Sequence, residues 1–507
     1  MKQKIFSLEK LKAILNKERK KGKKIVLCHG VFDLLHVGHI KHFKEAKTQG
    51  DILVVTITPD IYVNKGPSRP AFSEKLRTEA IASLSVVDYV SLNITSTATD
   101  VIKKIKPHVY CKGPDYKNNE NDITKQIKKE IHEIKKINGK IFYTSGITFS
   151  SSELINEHHD SSSDLQKLLI KKIKKKYTFS NIKKLIEKFK SLKVLIIGET
   201  IIDKYVFCEA LGKSGKEPML VLRDIKTEQY LGGAAAISRH LSPFCNNIKL
   251  LSMIGEKSEH LKDIKKNLPN NVNFDYIKKN KSPTIEKKRF LDHINNNKII
   301  GVYKINHEPL ETKDENLFSK KLKKLLPNYD VVIVSDYGHG LISKKSANII
   351  CTNAKYLALN AQINAANLGY HSMRKYKNVD FFINNESEMR HEMRDIKSKP
   401  ENLMKKLSRE QNIKDLVVTR GKNGAIIYNK KFNKFGSCGA FVKTALDKVG
   451  AGDAMLSIIS LCLKNNFTRE LSLLMGSLAG AQSTEIFGNK ETVSKNKMLK
   501  ALQHILK

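Results

Sequence analysis

A short apolar segment at residues 25–27 runs through a Gly-containing turn into a helical pattern that begins near His36. The whole unit reads Val26-Leu-Cys-His-Gly-Val-Phe-Asp-Leu-Leu-His-Val-Gly-His-Ile40. Its theme then repeats: apolar runs at 52–57, 86–92, 109–111 and 140–144 alternate with helical periodicity. Parallel strands need a long crossover, usually a helix, so this alternation predicts a parallel, doubly wound sheet.

A second series begins further on, with strands expected at 194–197, 331–335, 356–359, 381–383 and 416–419. Between the two lies Glu157-His-His-Asp-Ser-Ser-Ser-Asp164 and a Lys-rich helical stretch, which reads as a linker and a lead-in helix. His158, His159 and Asp160 fit a solvated linker better than a metal site. The expected domains are 1–157, a linker at 158–192, and 193–507. The fold class is α/β, with two doubly wound domains. A chain of 507 residues is too long for one core.

The net charge of +40 would ordinarily suggest nucleic acid or an anionic membrane. Here the excess is nearly all Lys, spread evenly beside abundant Asn and Ile, without the Arg, Gly and aromatic clustering of a nucleic-acid site. Neither partner is expected, although the positive field would attract phosphorylated substrates. The seven cysteines are scattered and never form Cys-x-x-Cys, which argues against a disulfide framework or a zinc site. No apolar run reaches membrane-spanning length and the N-terminus lacks a signal-peptide core, so a cytoplasmic location is expected. The residues allow a homodimer without specifying one.

His36 and His39 stand three apart at a helix start, hence on one face. Unpaired N–H groups and the helix dipole favour a phosphate there, and Gly38 lets it approach the backbone. Imidazoles donating to phosphate oxygens would stabilise charge built up in nucleotidyl transfer. Further candidates are Lys47 on the first helix, Lys65, Arg69 and Arg77 around a turn, and Lys112-Gly-Pro-Asp115-Tyr after a strand. The hydroxyls of Thr148, Ser150, Ser151 and Ser152 open another helix.

Residues 24–156 resemble the cytidylyltransferase-like nucleotidyltransferases, most closely the adenylyltransferase half of bifunctional heptose enzymes. The resemblance rests on Gly30-Val-Phe32-Asp33-Leu-Leu-His36-Val-Gly38-His39, Ser68-Arg-Pro70 with Arg77, Lys112 to Tyr116, and Ser150 to Ser152. It implies that His36 and His39 contact nucleotide phosphates, with Gly30, Phe32, Asp33, Gly38, Arg77 and Lys112 around the nucleotide. It also implies charge neutralisation by Lys47 or Lys65, triphosphate binding by the serines, a sugar contact from Asp115, and Mg²⁺ bridging the phosphates.

Near the C-terminus, Asp447-Lys-Val-Gly450-Ala451-Gly452-Asp453-Ala precedes an apolar helix. Small residues there would expose N–H groups as an anion hole, and Asp453 would accept a proton from an attacking hydroxyl. A Gly-rich turn with a capping Asp has the same appearance, and these residues alone leave both open. The preceding span decides between them. Residues 193–507 resemble the ribokinase-like, phosphofructokinase-B sugar kinases in Gly198 to Tyr205, Gly232-Gly233-Ala234, Thr284 with Lys287 and Arg289, and Ser335-Asp-Tyr-Gly338. The match continues in Asn385-Glu-Ser-Glu388, Thr419-Arg-Gly421 and Gly450 to Asp453.

The resemblance implies Asp453 as base, Gly450, Ala451 and Gly452 as anion hole, and Thr419 and Gly421 at the nucleotide. Asp203, Gly232 and Gly233 would hold the sugar, Lys287 and Arg289 a substrate phosphate, and Asn385 and Glu388 would organise Mg²⁺. Three departures stand out. Ala236 replaces a usual Asn; residues 359–367, rich in Asn, replace a usual Asp-Pro-Lys; and the transferase precedes the kinase. The amides are expected to change which substrate fits.

The resulting expectation is a bifunctional enzyme of sugar phosphate and nucleoside triphosphate. It would use Mg²⁺, with ATP for the kinase and ATP or CTP as nucleotidyl donor, and make an ADP- or CDP-heptose-like sugar for surface polysaccharide. The competing expectation is a polyol-phosphate cytidylyltransferase, acting for example on glycerol 3-phosphate, with a non-catalytic kinase-like domain.

Overall fold

A computed structural model describes residues 3–63, 70–114, 126–145, 164–364, 366–442 and 445–506. Lys65, Ser68, Arg69, Asp115, Tyr116, Thr148, Ser150, Ser151, Ser152, His158, His159 and Asp160 lie outside the described residues. The chain divides into two compact units, Ser162–Lys495 and Met1–Ser161 with Asn496–Lys507.

In the first unit, strands β1 (Ile25–Gly30), β2 (Ile52–Ile57), β3 (Tyr89–Leu92), β4 (Val109–Lys112) and β5 (Lys140–Tyr143) form one parallel sheet in the order β3-β2-β1-β4-β5. Side chains alternate across a strand, so continuous apolar runs require both faces to be covered. Ile25, Leu27, Ile52 and Val54 pack with Leu11 and Leu15 of the helix Leu8–Lys20 and with Val101 and Ile102 of Thr99–Ile105. Val26, Cys28, Leu53 and Val55 pack on the other face with Phe43, Ala46 and Ile81, from the helices Val37–Lys47 and Glu74–Ala82. The N-terminal helix is capped by Ser7, whose side chain accepts from the Lys10 N–H.

The second unit opens with two helices, Asp164–Lys174 and Phe179–Glu187, where one lead-in helix was expected. Gln166 donates to the carbonyl of Ala440 at 2.8 Å, so the first of them is tied into this unit's own structure. The strands β6 (Lys193–Gly198), β7 (Thr200–Lys213), β8 (Leu220–Gly233), β9 (Asn247–Gly255) and β10 (Val272–Lys279) follow. Next come β11 (Glu286–Asp292), β12 (Lys298–Lys304), β13 (Val331–Asp336), β14 (Leu357–Ala361) and β15 (Phe381–Asn385). The last are β16 (Asp415–Thr419), β17 (Ala425–Asn429) and β18 (Lys434–Cys438).

Nine of these strands form a sheet in the order β10-β9-β6-β13-β14-β15-β16-β17-β18, parallel except at β16–β17 and β17–β18. The doubly wound expectation holds for this layer. A second sheet, ordered β12-β11-β7-β8, was not foreseen. Its edge strands carry little burial signal: all seven residues of β12 are exposed, and in β8 only the last three are buried, although β7 between them is buried along most of its first nine residues. An apolar run cannot announce a strand whose faces stay in solvent.

Candidate active sites

The strand order of the first sheet reverses between β1 and β4, which opens a crevice at their C-terminal ends. Gly30 ends β1 there and Lys112 ends β4. His36 is the N-cap of the helix Val37–Lys47, and its Nδ1 accepts the Gly38 N–H at 3.0 Å. A neutral imidazole that accepts at Nδ1 carries its proton on Nε2. His39 lies over His36 with ring centroids 3.9 Å apart, and Phe32 packs edge-on to His39 at 5.2 Å. Phe32 has φ +48°, a left-handed conformation costing an aromatic residue about 1–3 kcal/mol. Asp33 is buried and accepts the N–H groups of Ala71 (2.6 Å) and Phe72 (3.2 Å), so it fixes the loop from inside.

Lys112 is buried and pairs with Glu130 at 3.1 Å, and the Tyr110 hydroxyl shares that carboxylate at 2.9 Å. Burial opposes ionisation of Glu130, but Lys112, His29, the Tyr110 hydroxyl and the Ala98 N–H together hold the carboxyl below its usual range. Burial, reinforced by the Lys112 charge, pushes His29 and His42 down to about 4, so both are neutral at pH 7.

Two expected contributors are not brought to this crevice. Lys47 sits at the far end of its helix, about 15 Å from the N-terminus at 1.5 Å per residue. Its ammonium is taken up by the Asp51 carbonyl (2.6 Å) and Asp88 (2.5 Å). Arg77 is fully buried and donates to the carbonyls of Phe72, Val31 and Thr58 and to Asp60, at 2.5–3.0 Å. Four of its five donors are committed to the fold, so it braces the loop.

In the second unit, Gly450 (φ +87°) caps the helix Ala451–Lys464 without a side-chain cap. A Cβ on Gly450 would lie 2.2 Å from Asn489 Oδ1, whereas one on Gly452 would meet nothing within 4 Å. Among the described residues the first turn carries no side-chain cap on its N–H groups, and at Gly452 it borders open space. Asp453 lies in that turn, half-buried. Burial first, then Asp203, push its carboxyl up to about 7, against the lowering influence of Tyr337 and Lys287.

Asp203 on β7 and Lys287 on β11 are partners in register. Arg289 donates to Asp203 at 2.5 Å, and a side chain at Gly232 would collide with Asp203 Oδ2. Gly233 has φ +61° and turns β8 into the next helix. Lys287 is buried, with its ammonium 5.6 and 5.5 Å from the ring centroids of Tyr303 and Tyr337. It has no ion-pair partner among the described residues, and burial lowers its pKa. Thr419 ends β16, and Gly421 (φ +54°) opens the turn after it.

Asn385 and Glu388 form a capping box for the helix Glu386–Met393: each backbone N–H is accepted by the other's side chain at 2.8 Å. Burial, with the Asp453 charge adding to it, pushes Glu388 up to about 7. Among the described residues no group of three His, Cys, Asp or Glu forms a metal cage. Mg²⁺ in phosphoryl transfer is held mainly by substrate phosphates and one or two carboxylates. The buried Glu388 carboxylate fits such a role and would hold the cation, whereas the Asn385 side chain is committed to the cap.

Residues 191–496 match the model of the pfkB family carbohydrate kinase. The chain belongs to that family. Residues 27–168 match a second model, cytidylyltransferase-like. Relatives named bifunctional protein HldE include those of Syntrophotalea carbinolica (42% identical over 115 residues, 22% of this chain and 24% of the relative) and Helicobacter pylori (43% over 131 residues, 25% and 27%). The chain thus matches about a quarter of the length of these curated relatives. A structure of Escherichia coli phosphofructokinase-2 in complex with substrates and products aligns over 62% of this chain and 100% of its own, with TM-score 0.50 and 15% identity. At that identity the likeness is one of fold. No helix among the described residues is long and apolar enough to cross a membrane.

The pfkB unit also contains groups that sequence reasoning left out of the site. Tyr337 places its hydroxyl 2.9 Å from both oxygens of Asp453. Asp447 is fully buried, accepting from the Tyr205 hydroxyl (2.7 Å) and pairing with Lys298 (2.6 Å). Tyr337 follows β13 at the C-terminal edge of the sheet, the one positional signal that would have singled it out.

The Asn-rich departure is structural: the Asn364 and Asn367 side chains donate to the Tyr337 carbonyl at 3.2 and 2.8 Å, and Asn367 is fully buried. Ala236 is buried within the helix Ala234–Leu241.

Proposed function

We propose that the chain is a bifunctional sugar-phosphate kinase and sugar 1-phosphate nucleotidyltransferase that makes a nucleotide-activated sugar of the ADP- or CDP-heptose kind. The observation that carries this reading is the meeting in one unit of Asp453, a helix N-terminus and Lys287, which has no ion-pair partner among the described residues. The other unit has its own imidazole pair at a sheet switch point.

In the kinase, Asp453 accepts the proton of the sugar hydroxyl as that oxygen attacks the γ-phosphorus of ATP. The N–H groups around Gly450, Ala451 and Gly452 receive the developing charge. A base near 7 is matched to neutral operation. Asp203, with Gly232 and Gly233 beside it, holds the sugar; Lys287 and Arg289 face its phosphate. Thr419 and Gly421 border the nucleotide. Glu388, together with the ATP phosphates, would hold a Mg²⁺ ion, which when bound would supply Lewis-acid charge neutralisation.

In the transferase, the sugar 1-phosphate oxygen attacks the α-phosphorus and pyrophosphate leaves. His36 donates from Nε2 and His39 stands beside it at the helix N-terminus, with Gly30, Phe32, Asp33 and Gly38 forming the loop under the nucleotide. Lys65, Asp115 and Ser150 to Ser152 complete the site in this reading, on the resemblance alone.

The test is ADP and pyrophosphate release by the whole chain with Mg²⁺, ATP or CTP, and a panel of heptose, hexose and polyol phosphates. Both products, each with its own substrate, are expected. Pyrophosphate alone, with a polyol phosphate and CTP, would replace this reading with a cytidylyltransferase carrying an inactive kinase fold.

A further inference from the structure

Tyr337 is 5% exposed, and burial together with the Asp453 charge pushes its phenol well above its ordinary range, so it keeps its proton and can donate it. Its one hydroxyl proton is shared between two carboxylate oxygens, each 2.9 Å away. The backbone that delivers it is held on both sides. The Tyr337 N–H donates to Glu199 Oε2 (2.9 Å) and the His339 N–H to Glu199 Oε1 (3.1 Å). The Gly338 N–H donates to Asp336 Oδ1 at 3.0 Å, and Asp336 is anchored by Lys375 (2.7 Å) and the Tyr376 hydroxyl (2.6 Å).

The Tyr337 carbonyl accepts from Asn364 and Asn367. Asn367 Nδ2 also reaches the Gln362 carbonyl at 2.8 Å, and its Oδ1 accepts the Asn364 N–H at 2.8 Å. Every polar group of the Tyr337 backbone is therefore committed, and the phenol has one place to point.

We propose that Tyr337 is the positioning residue of Asp453, aiming the base through its hydroxyl, and that the amides of Asn364 and Asn367 set Tyr337 in place. This rests on the reading of Asp453 as the kinase base. It also accounts for the Asn-rich segment: amides can donate to a carbonyl without adding charge beside a carboxylate that burial already disfavours. Asp453 is faced by Tyr337 from the turn after β13, Asp203 from β7, Lys287 from β11 and Glu388 from the helix Glu386–Met393. Asp203 and Glu388 oppose its ionisation, while Tyr337 and Lys287 favour it.

The experiment is the pH dependence of kcat/KM for ADP release by the whole chain, with MgATP and the heptose phosphate that turns over in the panel above. The kinase loses activity as pH falls and Asp453 is protonated. Removing the Tyr337 hydrogen bond raises that carboxyl's pKa, so Y337F moves the acid limb to higher pH by about one unit, the worth of one hydrogen bond to a charged group. N367A moves it the same way by less, and keeps the test available should Y337F fail to fold.

Lower kcat at every pH with an unmoved limb, in whichever variants fold, would reduce Tyr337 to a packing residue and overturn the proposal. D453N separates the two claims. Its loss of ADP release leaves the base in place while the limb decides on Tyr337. Turnover that survives D453N, or a panel in which no heptose phosphate releases ADP, removes the base reading and this proposal with it.

Discussion

Asp453 and His36 owe their expected chemistry to where the backbone puts them. Asp453 is a carboxylate in the first turn of a helix, where the dipole favours its charge and burial disfavours it, and burial prevails. D453N keeps the shape and removes the base. ADP release is expected to fall by about 10²–10⁴, measured with the substrate from the panel.

His36 has its proton fixed on Nε2 by the Gly38 N–H. H36A is expected to lower pyrophosphate release by about 10²–10³, the worth of a donor aimed at developing charge. A loss under threefold in steady-state pyrophosphate assays would remove His36 from the machinery. Both residues stood out in the sequence because each lies in a short Gly-containing motif. Tyr337 also lies in such a motif, Ser335 to Gly338, but a Tyr after a strand has no evident role until its hydroxyl is seen against Asp453.

Two elements can be tested as elements. The turn before the helix Ala451–Lys464 needs a residue at 450 with φ +87° and no Cβ. G450A would force a methyl to within 2.2 Å of Asn489 Oδ1. At least a tenfold loss of ADP release is expected, with destabilisation of about 1–3 kcal/mol seen in urea unfolding.

The loop after β1 depends on Arg77, whose guanidinium serves three carbonyls and Asp60. R77M leaves those carbonyls buried without a donor. A destabilisation of about 2–4 kcal/mol is expected, read as a lower urea midpoint. An Arg that binds nucleotide would instead raise the KM for nucleoside triphosphate and leave the midpoint unchanged. The parallel strands were legible because both of their faces are buried, as at Val26 and Leu27. Strand β12 was not, because neither face is.

At the scale of the molecule, the two crevices belong to units with separate cores. Substitutions far apart with no shared partners act independently. D453N is therefore expected to leave pyrophosphate release within twofold of the parent, and H36A to leave ADP release equally untouched, each assayed on the same preparation. A fall in both activities from either change would mean the units are energetically coupled.

The sequence by itself determined the two α/β units, the parallel sheets and the positions of His36, His39 and Asp453. These follow from short-range rules: apolar runs mark strands buried on two faces, and Gly marks turns where a ligand can meet a helix N-terminus. Only the tertiary structure decided which charged residues are free to act. Lys47, Arg77 and Lys287 read alike along the chain. The first two are engaged by acceptors brought from residues up to 46 positions away, whereas Lys287 has no ion-pair partner among the described residues. The pairing of a cation is a long-range property, fixed by which carboxylates and carbonyls the packed chain brings within 3 Å of it.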